Sequence, residues 1–127
     1  MTVRFGWCVA LAVMAALVSG GVDSAGAAAR RPAENSLNLV NDKLLKLAPA
    51  ERAAELARAV GHWCIGTEAF LMGVVATGQG KGNAYWSLRC ADGSTWAVQI
   101  EPFGDLTAIG CDTYKEVGAG KECFKTF

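Results

Sequence analysis

Residues 85–111 read YWSLRCADGSTWAVQIEPFGDLTAIGC, and this stretch decides the fold. Aromatic and β-branched residues fall into three runs separated by two turn signals. The first signal is Asp92-Gly93. A two-residue type I′ turn needs positive φ at both central positions, and Asp and Gly tolerate that best. Such a loop pairs Ala91 with Ser94, Cys90 with Thr95, Leu88 with Ala97 and Trp86 with Gln99. The second signal is Pro102-Phe103-Gly104-Asp105, where proline presets φ and suits a strand end. A four-residue loop there sets Ile100 against Thr107, Val98 against Ile109 and Trp96 against Cys111.

Side chains alternate faces along a strand. On this register one face carries Tyr85, Trp96, Val98, Ile100 and Ile109, and the other Trp86, Leu88, Ala97, Leu106 and Ala108. Neither face is polar. Helices are expected on one, and a strand, a loop or a partner over part of the other. A slip of one residue would turn a strand over.

Upstream, Leu37, Val40, Leu44 and Leu47 form one apolar stripe at helical spacing, so residues 35–47 read as an amphipathic helix capped by Asn35 or Ser36. Pro49 suits the first turn of a second helix over residues 50–60, with Ala53, Leu56, Ala57 and Val60 inward. Glu51, Arg52, Glu55 and Arg58 are expected to face water, and Gly61 to terminate the helix. The pair reads as a helical hairpin lying on the sheet, with a partner-binding pair as the sharper alternative. Phe70, Met72, Val74 and Val75 are strand-like, and a fourth strand there would pair antiparallel with residues 84–91. The glycine-rich loop at 77–82 is a hairpin loop. It lacks the Ser or Thr that a phosphate-binding loop needs after Gly80-Lys81. Residues 112–117 suit one or two helical turns capped by Asp112, and Phe124 or Phe127 is expected to plug the core edge. The fold class is therefore α+β: two N-terminal helices packed on a three- to four-stranded antiparallel meander, stapled by disulfides.

Residues 1–29 read as a signal peptide. Arg4 supplies the positive start, residues 5–18 the apolar core, and the alanine-rich 24–29 several cleavage sites, with Ala29 or Ala27 favoured. Retention of residues 5–22 as a membrane anchor is the alternative. Cys8 lies inside the apolar core, too early for a lipidated N-terminus. Cleavage leaves residues 30–127 as a single small domain with no membrane span. Removing Arg4 and Asp23 leaves 11 basic and 11 acidic residues, a balance that excludes nucleic acid as the expected partner.

Four cysteines remain after cleavage: Cys64, Cys90, Cys111 and Cys123. An even count in a small exported chain implies two disulfides. Cys90 and Cys111 point to opposite faces on the register above, which favours Cys64–Cys90 and Cys111–Cys123. The spacings match no zinc site and no C-x-x-C-H haem attachment, so neither metal nor cofactor is expected.

His62 is the only histidine. A hydrolase would need it with Glu68 or Glu101. Glu101 and Asp105 flank one turn, where carboxylates usually serve the backbone. G-x-S-x-G is absent, and oxidised cysteines offer no thiolate. Trp63, Tyr85, Trp86 and Trp96 are the better functional candidates, as a surface that stacks on sugar, peptide or protein. Their alternative role is to fill a thin core.

The segment from Ala91-Asp92-Gly93-Ser94 through Val98-Gln99-Ile100-Glu101-Pro102-Phe103-Gly104-Asp105-Leu106 resembles the strand–DG–strand–turn–strand core of PepSY-type domains. The second helix and the four cysteines depart from that pattern. With WCIGT, YWSLRCADG and the final ECFKTF, the chain is also similar to small uncharacterised secreted alphaproteobacterial proteins. The PepSY likeness implies a binding or inhibitory role in the envelope, with another envelope protein or a peptide as partner. The expected function is thus a non-enzymatic periplasmic or secreted binding module. A small envelope hydrolase and a membrane-anchored accessory subunit of an envelope complex are the alternatives.

Overall fold

The computed structural model describes residues 36–119 and 121–127. The proposed leader and its cleavage site lie outside them. Two helices, α1 (Leu39–Lys46) and α2 (Pro49–Val60), precede four strands, β1 (Gly66–Val74), β2 (Ala84–Cys90), β3 (Thr95–Ile100) and β4 (Leu106–Gly110), and a third helix follows, α3 (Cys111–Val117). The strands form one antiparallel meander in the order β1-β2-β3-β4. Among the described residues, no helix is long and apolar enough to cross a membrane.

Eight residues are too few for a helix to hold itself in water, so α1 depends on its anchors. Its N-cap is Asn38, not Asn35 or Ser36. The Asn38 side chain accepts from the Asn41 amide (2.9 Å) and donates to the carbonyls of Gly82 (2.9 Å) and Ile100 (3.0 Å). Asn41 in turn accepts from the Trp86 indole N–H at 2.9 Å. The far end of α1 is closed by Arg52. This residue does not face water as expected. Its guanidinium donates to the carbonyls of Leu44, Leu45 and Leu47 and lies 5.4 Å above the Trp86 ring. Carbonyls at a helix end lack the next turn's amides; here the Leu47 amide reaches only that of Leu44 (3.1 Å), and a planar fork of donors suits several carbonyls at once.

Pro49 opens α2 and Gly61 closes it. The apolar stripe Ala53, Leu56, Ala57 meets Trp86, Leu88, Cys90, Val98 and Ile100 of the sheet, with Leu44 and Cys64 completing the main core. Contact between α2 and β1 is close: a Cβ on Gly66 would lie 2.2 Å from the Ala53 carbonyl oxygen. Cys64 and Cys90 are bonded, with Cα atoms 5.3 Å apart, which ties the α2–β1 connection to the end of β2.

The expected register is off by one at both turns. Leu88 pairs with Trp96, Trp86 with Val98 and Tyr85 with Gln99; Ile100 pairs with Leu106, and Val98 with Ala108. The reason is the turn type. Cys90 bonds to Ser94 around a three-residue loop, and Glu101 bonds to Asp105 around another. Only the last loop residue, Gly93 or Gly104, has positive φ (86° and 102°). This is the glycine-bulge form of a three-residue hairpin, not a type I′ turn. At the first turn Asp92 accepts from the amide and hydroxyl of Ser94, which lowers the Asp92 pKa through the hydroxyl bond first and the amide bond second.

The faces change accordingly. Trp86, Leu88, Trp96, Val98, Ile100 and Ala108 share the helix-covered side. Tyr85, Ala97 and Ile109 share the other. A β-bulge at Met72, between the pairs Leu71–Trp86 and Gly73–Tyr85, turns Met72 to that second side. Asp112 is not a cap: Gly110 occupies the N-cap of α3 and supplies no side-chain bond.

Candidate binding cleft

The second face of the sheet is covered by the C-terminal segment. α3 follows β4 without a linker and packs on β3 and β4. Tyr114 of α3 is buried with Met72 and Ala97, and its ring lies 6.2 Å from that of Tyr85. A bond between Cys111 and Cys123, with Cα atoms 5.8 Å apart, returns the chain to the sheet. Phe124 then donates its amide to the hydroxyl of fully buried Ser87 (2.7 Å), and Phe127 donates to the Met72 carbonyl (3.2 Å). The Phe127 ring meets Tyr85 edge-on at 5.8 Å. Arg89 stacks above Phe124, and Lys121 sits 3.8 Å above Phe127 and 5.6 Å from the Tyr85 ring centre. Glu122 holds Lys115 at 3.0 Å and also pairs with Lys125.

The cover is incomplete. Between β2–β4 and α3 lies an open cleft of about 340 Å³, within the size range of small-molecule sites. Tyr85, Gln99, Thr107 and Ile109 form its floor, and Tyr114, Val117 and Lys121 its wall and rim. Val117 is 69% exposed, an apolar side chain left on the open side. Among the described residues, Lys121 is the one charged residue lining the cleft. No carboxylate is paired with it among the described residues. Tyr114 is only 6% exposed, and its hydroxyl is buried with no hydrogen-bond partner. Burial raises the Tyr114 pKa first, and the neighbouring Tyr85 phenol adds to the rise.

The four aromatic residues expected to form one surface are divided. Trp86 is 1% exposed and belongs to the main core, where Asn41 and Arg52 of the two helices hold its ring. Trp63 and Trp96 stand together at the Cys64–Cys90 end, ring centres 5.6 Å apart and edge to face. Trp63 is 49% exposed, while Trp96 is half-buried and donates its indole N–H to Ser94. Tyr85 lies on the opposite face, in the cleft. His62 is exposed, Glu68 is paired with Arg89 at 3.0 Å, and among the described residues no hydrogen bond or ion pair joins His62 to Glu68 or Glu101. Nor does any group of three or more His, Cys, Asp or Glu residues in that set form a metal-binding cluster.

Gln99, Thr107, Ile109, Tyr114 and Lys121 were not identifiable as a group from sequence. Gln99, Thr107 and Ile109 share a face only on the true register. The one local clue was Tyr114, a large phenol in a short helix that the neighbouring Cys111 and Cys123 hold against the sheet.

Compared with known proteins, the chain matches no family model, no curated protein and no solved structure.

Proposed function

We propose that this protein is a non-enzymatic binding module of an oxidising, extracytoplasmic compartment, periplasmic or secreted, and that it holds its ligand or partner in the cleft beneath α3. The cleft carries this reading. It is concave, mostly apolar, and furnished with a few polar groups that converge on one space, as ligand sites are. Two disulfides in a domain this small fit export, since bridges supplement a thin core where the surroundings are oxidising. The turn-and-strand pattern similar to PepSY modules points to binding in the same way. Hydrolysis by His62 has less support, because Glu68 is engaged by Arg89.

The experiment compares what is retained by purified oxidised protein and by two arginine variants, as copurifying small molecules or proteins read by mass spectrometry. Thr107→Arg fills the cleft. Glu51→Arg alters an exposed position on α2. Loss with Thr107→Arg alone is the expected result. Equal retention by both variants would overturn the assignment to the cleft. A second reading rests on half-exposed Trp63 stacked on Trp96. It predicts the loss on Trp63→Ala, with Thr107→Arg unaffected.

A further inference from the structure

We infer that the cleft takes a small amphipathic carboxylate, with an apolar body against Tyr85, Ile109 and Val117 and its anionic end between Lys121 and Tyr114. This deepens the binding reading above and rests on it. Charge selects the class. Among the described residues Lys121 is the only charged side chain in the lining, and in an apolar recess a single cation with no carboxylate partner favours an anion strongly over a neutral or cationic group. A cationic ligand is disfavoured for a second reason. The aromatic faces of Phe127 and Tyr85, which could hold an ammonium, already hold that of Lys121.

The second observation is the Tyr114 hydroxyl. A buried donor without a partner destabilises the fold that contains it, yet this one is 94% buried on the wall of the cleft, since Tyr114 is 6% exposed. The end of its ring lies against Gly118, where a Cβ would be 3.5 Å from Cζ, and Gly118 also lines the cleft. The proposal requires the ring to turn so that the O–H, buried in the free protein, meets a ligand oxygen. A carboxylate accepts from both Tyr114 and Lys121, and charge-assisted bonds of this kind are the stronger sort. Gln99 and Thr107 on the floor offer further donors at no cost in charge.

The probes are hexanoate, hexanamide and hexylammonium, titrated into the oxidised protein with the amide resonances of Thr107 and Ile109 and the indole N–H resonances of Trp63 and Trp96 as readout. Hexanoate is expected to shift both amides saturably. Hexanamide should bind at least about tenfold more weakly, the scale of one charged hydrogen bond, and hexylammonium should leave them unmoved. Lys121→Gln should bring hexanoate to the level of hexanamide. Tyr114→Phe separates a ligand group from a structural one. It should leave stability unchanged or raised, because the lost hydroxyl had no partner, and still weaken hexanoate. Equal binding of all three probes, or no effect of Lys121→Gln, would overturn the carboxylate while leaving the cleft as the site. No shift with any probe, beside a positive Thr107→Arg result, would do the same. Shifts confined to Trp63 and Trp96 would overturn both.

Discussion

Replacing Asn38 with alanine removes the side chain that joins the start of α1 to the β1–β2 loop and to the end of β3. Three bonds go with it: the cap on the Asn41 amide and the donations to the Gly82 and Ile100 carbonyls. Loss of a helix N-cap costs about 1 kcal/mol. Gly82 is buried and Ile100 fully so, so losing the donor to each carbonyl adds about 1–2 kcal/mol. The sum is about 3–5 kcal/mol, a large share of the roughly 5–15 kcal/mol that holds an ordinary domain together. Asn38→Asp makes the logic sharper. It keeps the acceptor that caps α1 but replaces the two donors with a buried anion facing two carbonyl oxygens, so at neutral pH it should be worse than alanine despite retaining the cap. Protonation restores one donor, and the gap between the two variants should close as pH is lowered. Urea unfolding with both disulfides intact, followed by tryptophan fluorescence, measures all three proteins. A loss below about 1.5 kcal/mol for Asn38→Ala at unchanged m-value, or Asn38→Asp matching the wild type at neutral pH, would refute the claim that these buried carbonyls depend on Asn38.

Three further outcomes follow from the packing and the electrostatics. Gly66→Ala should cost more than about 3 kcal/mol or abolish folding, because its Cβ would collide with the backbone of Ala53. Gly93→Ala has open space around it and should cost only about 1 kcal/mol for its positive φ; thermal unfolding ranks the two. Replacing Cys111 and Cys123 together with alanine opens a link of 12 residues and should cost about 3 kcal/mol on the chain-entropy relation. Amide exchange should rise at Phe124 and Phe127 well before it rises in β2. The Glu122 pKa is lowered to about 2 by Lys125 first and Lys115 second. A depressed native-state value contributes stability above the unfolded carboxyl range of about 4.3, and that contribution disappears as pH falls toward 2. Backbone relaxation at residues 121–127 should therefore loosen over that interval, and Glu122→Gln should remove the pH dependence.

The architecture was legible because its signals are local. Pro49 and Gly61 bracket α2, two glycine turns divide the meander, and an even set of cysteines after the proposed leader reads as bridges. What was missed depends on partners distant in sequence. The Asp92-Gly93 dipeptide serves a two-residue and a three-residue loop equally well. Only the bond from Cys90 to Ser94 separates the two, and the faces of Trp96, Ala97, Val98 and Ile100 on β3 followed the wrong choice, while the second slip cancelled the first on β4. Arg52 was placed in water because its carbonyl partners belong to the helix before it. Asn38 and Asn41 look like ordinary polar positions in a short helix, and their value lies in bonds to residues more than 40 positions away. The cleft was hidden for the same reason. Its lining comes from β2, β3, β4, α3 and the tail, and no window of the chain contains it.

The two hairpin loops carry a rule about length. Each has an odd number of residues, so even-numbered positions face the helices on all three strands they join: Trp86 and Leu88, then Val98 and Ile100, then Ala108. Dropping or adding a single residue in the first loop would swap odd for even on everything downstream, presenting Gln99 and Thr107 to the helices and turning Val98 and Ala108 to the open side; in the second loop the same change would reach Thr107 and Ala108 alone. Two residues at once would leave the parity intact. Sister sequences, wherever they occur, should therefore differ at these loops by nothing or by pairs, and a lone insertion should be accompanied by a new bulge that cancels it.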